Sequence, residues 1–231
     1  MSTKELSIVV PAYNEGHHLE DVILEMSRAL ALSGITYEIC IVDNGSRDNT
    51  AEVIGKLERS DPNITHVHFK DNQRYGGGIL AGLAIVRGDV IGWAHADGQA
   101  DPNDIVRIYR KMRSENRELG KAVRIMRNES PWRKVQGRIW YSLFQILFRS
   151  PYRDVNATPR IMTRKAADIL QLDSRDWFLE PEFIIKSLRH DIPISEVDTS
   201  WHSRRSGSTH VGLSAGLEFL KNLFMYRIGA K

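Results

Sequence analysis

The chain has 231 residues, 42% of them hydrophobic and 26% charged, with a formal net charge of +3. That composition is ordinary for a globular protein and supports the core of one α/β domain, or a domain with a small appendage. The net charge is too small to argue for a nucleic-acid partner, and the single cysteine, Cys40, excludes an internal disulfide.

Leu6–Val10 is a short apolar run stopped by Pro11 and reads as a buried strand. No signal-peptide core precedes it. Leu19, Val22, Ile23, Met26 and Leu30 then recur at helical spacing. Glu38–Asp43 is a second strand, with Cys40 inside its apolar run as a buried thiol of a reducing compartment. Gly45–Thr50 is turn chemistry, and Val53, Ile54 and Leu57 mark the helix after it. Ile64–Phe69 is a third strand, Gly76–Val86 a glycine-rich start to a helix, and Val90–Ala94 a fourth strand. Strands and helices alternate over short links, which predicts a mostly parallel, Rossmann-like sheet with helices on both faces. Ligands of such sheets collect at the carboxyl ends of the strands. Polar residues follow each strand here, so four loops are expected to meet at one edge.

The second half is less regular. Val135–Phe148 reads as an apolar, aromatic helix whose longest run falls far short of the ~20 residues that span a bilayer. Helices are expected over Ala166–Leu170 and Glu182–Arg189, and a short strand over Ile192–Val197. Ser203–His210 is a polar loop. Leu213, Leu217, Leu220, Phe224 and Ile228 form an amphipathic stripe. The simplest division is a domain over 1–210 and a C-terminal amphipathic helix over 211–231. Between Arg124 and Arg164 nine Lys/Arg face only Glu129 and Asp154, a local basic excess that fits phosphate or a membrane surface. The competing reading is a solvated helix face.

Gly76-Gly77-Gly78-Ile-Leu-Ala-Gly82 comes near a dinucleotide fingerprint but misses its spacing and follows the wrong strand. Its glycines serve either close ligand approach or a tight turn with helix packing. Trp93-Ala-His-Ala-Asp-Gly-Gln-Ala-Asp101 holds oxygen donors in Asp97 and Gln99 that suit a hard divalent cation if a ligand's diphosphate completes the shell. Asp101 is better read as a cap for the helix starting at Pro102.

Three of these segments in order, Ser7–Glu15, Ile41–Thr50 and Gly88–Gln99, resemble family 2 glycosyltransferases of the GT-A fold, most nearly the dolichyl- or polyprenyl-phosphate mannose and glucose synthase branch. Asp154-Val-Asn156, Glu180–Phe183 and Arg204–Thr209 extend the resemblance more loosely over nearly the whole chain.

The resemblance implies an inverting, metal-dependent hexosyltransferase that moves a hexose from a GDP- or UDP-sugar to a polyprenyl (dolichyl-type) phosphate at the cytoplasmic face of the membrane. Pro11, Ala12, Tyr13, Glu15, Asp43, Gly76, Gly77, His95, Ala96, Asp97 and Arg204 would bind the nucleotide sugar. Asp97, Gln99 and His95 would hold Mg²⁺ or Mn²⁺. Arg127, Arg133 and Arg138 would meet an acceptor phosphate. Two positions depart from the family pattern: His95-Ala-Asp97 stands where Asp-x-Asp is usual, and Asn44 replaces the second strand-two Asp.

A hydroxyl acceptor needs a general base, whereas a phosphate is already ionised. Glu180 and Glu182 are the candidate bases, with Asp97 the third carboxylate assigned to the chemistry. The alternative for both glutamates is a helix N-terminal acid that favours the macrodipole. The aromatic helix and the C-terminal helix are expected to meet a membrane surface, pack on the sheet, or meet a second subunit in a homodimer. Transfer to a saccharide hydroxyl, and a non-catalytic sugar-nucleotide-binding protein, remain the competing functions.

Overall fold

In the computed structural model, residues 4–126, 131–201 and 213–229 are described. Among them seven strands form one sheet in the order β3-β2-β1-β4-β6-β5-β7. These are β1 (Leu6–Ala12), β2 (Tyr37–Asp43), β3 (Ile64–His68), β4 (Val90–Trp93), β5 (Leu119–Met126), β6 (Arg160–Thr163) and β7 (Ile194–Ser200). Only β6 runs antiparallel, to both its neighbours.

Side chains alternate between two cores. Leu6, Ile8, Val10, Ile39 and Ile41 point to a layer built by α1 (Leu19–Ser33), α2 (Thr50–Ser60) and α4 (Asn103–Ser114). Val9, Cys40 and Val42 point to the other, built by α3 (Tyr75–Ile85), α5 (Pro131–Phe148), α6 (Arg164–Leu170), α7 (Leu179–Arg189) and α8 (Leu213–Arg227). Burial on both faces explains why the central strands read as continuous apolar runs.

Pro11 does not stop β1, which continues to Ala12. Pairing with β4 ends at Val9 and Trp93, followed by one bond from Ala94 N to Val9 O. Ala12 O turns the other way, toward β2, and accepts from Asn44 N. The hydrogen that Pro11 lacks therefore falls on the β4 side, where the ladder has already finished, so proline costs no bond there. Beyond that point β1 and β4 part. The chain steps outward from β1 through β2 to β3 and then returns to β4 on the other side of β1. Their carboxyl ends thus flank the topological switch point, where a ligand crevice is expected.

The described part of the C-terminal stripe does not pack on the sheet. Leu220, Phe224 and Ile228 are 48%, 64% and 58% exposed, whereas Asn222, Leu223 and Tyr226 are buried. α8 packs through Phe219 against Trp140 of α5 (4.2 Å between ring centroids) and against Phe178, and through Tyr226 against Phe178. Phe219 and Tyr226 lie on the core-facing side, and Leu220, Phe224 and Ile228 face out.

Candidate active site

The first wall of the crevice is a pair of stapled loops. Asn14 N donates to Ser46 Oγ (3.0 Å), Glu15 N to Thr50 Oγ1 (3.0 Å), Gly16 N to Asp48 Oδ2 (3.2 Å), and Arg47 N to Asn14 Oδ1 (2.8 Å). Burial pushes the Asp48 carboxyl up, but hydrogen bonds from Thr50 and the Gly16 amide outweigh it and hold the group below its usual range. Pro11, Ala12, Tyr13 and Glu15 are carried by this wall, and Glu15 reaches His18 at 3.0 Å. Asp43 closes β2 and is 1% exposed. Its two oxygens meet Ser46 N (3.0 Å) and His68 Nδ1 (2.9 Å).

Asn44 explains its own departure from the family pattern. Its Nδ2 donates to Arg74 O (2.9 Å) and its Oδ1 accepts from Gln73 N (2.8 Å), tying β2 to the start of α3. A carboxylate has no hydrogen for the first of these bonds.

The glycines of α3 meet the segment that leads into α7. A Cβ on Gly76 would lie 2.1 Å from Ser174 O, and Gly77 N donates to Arg175 O (2.9 Å). The space that Gly76 leaves is filled by the chain's own 174–176 loop, so this glycine serves close backbone packing.

The second wall joins four elements through one buried cluster. Glu180, in the first turn of α7, accepts from Tyr75 Oη (2.6 Å) and Trp93 Nε1 (2.9 Å) on the same oxygen. Its other oxygen lies 2.5 Å from Arg160 Nε, whose hydrogen goes to Ala157 O, so that contact is a charge pair. Arg160 also donates to Glu180 O (2.6 Å) and Val155 O (2.5 Å), and is fully buried. Tyr75 Oη in turn meets His95 Nε2 at 2.8 Å. Burial, and then the Glu180 charge, push the Tyr75 phenol well above its usual range. Trp177 stacks on Tyr75 at 4.1 Å and 13°. Tyr75, Arg160 and Trp177 carry no local signal, because Glu180 lies 105 residues from Tyr75 and 20 from Arg160, and Trp177 meets Tyr75 only in the fold.

Glu180 and Glu182 are both committed. Glu182 is fully buried, accepts from Asp173 N (2.9 Å) and Ser174 N (2.8 Å), and pairs with Lys186 (2.6 Å). Such a carboxylate holds a loop onto a helix start. Neither is arranged as a general base.

The opening of the crevice is the loop after β4. Asp97 is 5% exposed and its Oδ1 accepts from Gln99 N (3.1 Å). His95 Nδ1 stands 4.0 Å from Asp97 Oδ2. The bridge between Ala100 and Trp201 brings the end of β7 against this loop. Asp101 Oδ1 accepts from Asn103 N (2.9 Å), so it holds the start of α4, one residue later than expected. Among the described residues no three His, Cys, Asp or Glu converge on a metal site. The donor set still fits a diphosphate-bound ion. Carboxylate, imidazole and amide donors on one loop are the chemistry that holds a divalent ion when a diphosphate supplies further oxygens.

Much of the basic excess is structural. Arg124 forks onto Asp154 (2.7 Å twice), Arg153 pairs with Asp198 (2.6 Å) and Arg160 with Glu180. Asp154 of the Asp-Val-Asn turn thus anchors β5. Arg138 is exposed on α5. Arg127 and Arg204 lie outside the described residues, as does the side chain of Arg133.

Residues 7–170 match Glycosyl transferase family 2. The chain belongs to this family. Glycosyltransferase AglD of Haloferax volcanii is 26% identical over 217 residues, covering 90% of this chain but 34% of that protein. A dolichyl-phosphate β-glucosyltransferase of Trichomonas vaginalis is 27% identical over 241 residues, covering 97% of this chain and 75% of the relative. This family 2 chain therefore spans about a third of the first relative's length and three quarters of the second's. Among solved structures, glucosyl-3-phosphoglycerate synthase of Mycobacterium tuberculosis with Mn²⁺, UDP-glucose and phosphoglyceric acid superposes with a TM-score of 0.78 at 17% identity, over 98% of this chain and 80% of the other. That likeness establishes the GT-A fold expected from the order of strands and helices.

Proposed function

We propose that this glycosyltransferase moves a hexose, with inversion, from a nucleoside-diphosphate sugar to a polyprenyl phosphate. The observation that carries the acceptor is the state of its two candidate bases. Glu180 is spent on Tyr75, Trp93 and Arg160, and Glu182 on two backbone amides and Lys186. An alcohol acceptor needs a base to take its proton, and a phosphate, already ionised, does not. The dolichyl-phosphate glucosyltransferase relatives support the same acceptor class. UDP-glucose is the favoured donor, being bound in the structural neighbour.

In this reading the stapled wall of Pro11, Ala12, Tyr13, Glu15 and Asp43 holds the nucleoside. Asp97, His95 and Gln99 hold Mg²⁺ or Mn²⁺, which offsets the charge that gathers on the departing diphosphate. Arg204 pairs with that diphosphate, and Arg127, Arg133 and Arg138 attract the acceptor phosphate.

The enzyme works on a membrane surface. No helix among the described residues is long and apolar enough to cross one. The outward residues Ile139 and Ile146 of α5, with Leu220, Phe224 and Ile228 at the chain's end, accompany exposed Arg138, Arg149, Lys221 and Arg227. Apolar side chains beside basic ones suit an anionic bilayer interface at the cytoplasmic face.

The test incubates the protein with radiolabelled UDP-glucose or GDP-mannose, Mn²⁺ and polyprenyl phosphate. The expected result is an acid-labile, lipid-extractable product. Absence of any lipid product with every donor, alongside transfer to a saccharide, refutes the acceptor. Flotation with anionic vesicles, lost in Phe224→Asp, tests the surface, and a stable dimer that Phe224→Asp dissociates refutes it.

A further inference from the structure

We propose that Tyr75 is a positioning residue that fixes the tautomer of His95, so that the ring turns its Nδ1 lone pair toward Asp97 and a divalent cation. The cation rests on the metal site of the proposed function; the tautomer does not.

Trp93 Nε1 and Arg160 can only donate. They lie 2.9 Å from Glu180 Oε1 and 2.5 Å from Glu180 Oε2. A carboxyl surrounded by donors and a guanidinium is ionised and can only accept. The short contact between Tyr75 Oη and Glu180 Oε1, at 2.6 Å, must therefore contain the phenol's one hydrogen. Tyr75 Oη then has only lone pairs left for His95 Nε2, 2.8 Å away on its other side. Nε2 must carry a hydrogen. A neutral imidazole has one N–H, so Nδ1 is the bare nitrogen.

Nδ1 has one potential donor and one carboxylate near it. Its neighbours are Thr158 Oγ1 at 3.3 Å, whose hydroxyl can donate, and Asp97 Oδ2 at 4.0 Å. With Nε2 protonated, Nδ1 is the nitrogen that can act as a ligand beside Asp97, in the place of the first carboxylate of the usual Asp-x-Asp loop. Trp177 stacked on the phenol, and Gly76 wedged against the 174–176 loop one residue later, keep the tyrosine in place.

Long-range ¹H–¹⁵N NMR on ¹⁵N-histidine protein at pH 8, without metal or substrate, reads the tautomer directly. The expected spectrum shows His95 with a protonated Nε2 and an unprotonated Nδ1. Tyr75→Phe keeps the ring and its stacking but removes the acceptor, and is expected to give mixed tautomers. In the same variant Mn²⁺ affinity in the presence of UDP, read from free-ion EPR, should fall about ten- to a hundredfold, as for other residues that orient metal-bound histidines. A proton on Nδ1 in the unmodified protein overturns the proposal, as does an unchanged tautomer in Tyr75→Phe. Failure of the unmodified protein to bind Mn²⁺ with any nucleotide overturns the metal site instead, and the tautomer spectrum still decides the role of Tyr75.

Discussion

Replacing Glu182 by glutamine separates a structural carboxylate from a chemical base. Glu182 is fully buried and accepts backbone hydrogen bonds from Asp173 and Ser174 while pairing with Lys186. Glutamine keeps one oxygen and turns an NH₂ toward the second amide, so one buried donor loses its acceptor. A hydrogen bond to a charged group is worth about 1.5–3 kcal/mol. Loss of the Lys186 charge pair adds to this, although that lysine keeps Gln171 O at 2.6 Å. The expected destabilisation is roughly 3 kcal/mol, and at about 2–4 °C per kcal/mol for a chain of this size Tm should fall by about 6–12 °C. Differential scanning calorimetry measures the shift, and initial rates well below the melt measure kcat. A general base supplies about 10²–10⁴-fold. The reasoning predicts a change in kcat of less than about tenfold. A fall of a hundredfold or more with Tm unchanged would refute it and restore Glu182 as a base for a hydroxyl acceptor.

Asn44→Asp should cost about 1–3 kcal/mol by chemical denaturation, because the carboxylate cannot donate to Arg74 O and faces it instead. An unchanged midpoint would show that the bridge between β2 and α3 is dispensable. Gly76→Ala should destabilise or prevent folding, since its methyl would sit 2.1 Å from a backbone oxygen; a variant as stable as the parent would refute the packing role. Lys121 is fully buried against Glu196 and the carbonyls of Arg153 and Asp154, and burial lowers its ammonium from 10.5 to about 8. The unfolded chain then holds the extra proton between pH 8 and 10.5, so this lysine favours folding increasingly as pH rises through that window. Relative to Lys121→Met, stability should rise by on the order of 3 kcal/mol across it; a flat difference between the two denaturation series would show that the lysine is not buried as a charge.

Four strand ends, each followed by polar residues, were readable because apolar runs, turn residues and helical spacing are local. So were the loop of Asp97 and Gln99 and the stretch from Tyr13 to Glu15, whose residue types suit a nucleotide and which lie where a parallel sheet collects ligands. The antiparallel β6 was not readable, since four residues after a loop do not announce their direction. The direction of α8 was also hidden. Both of its sides look apolar, and only the packing against Trp140 and Phe178 selects Phe219 and Tyr226.

Sequence by itself determined the fold class, the family and the residues at the mouth of the crevice, because each is written in a short segment. Tertiary structure alone decided what the charged residues do. Arg160, which counts in sequence as part of a basic surface, is buried against Glu180, and Glu180, a candidate base, is held by Tyr75, Trp93 and that arginine. A charge leaves water only when its partners are assembled around it, and here those partners come from α3, β4, β6 and α7, which become neighbours only in the folded sheet.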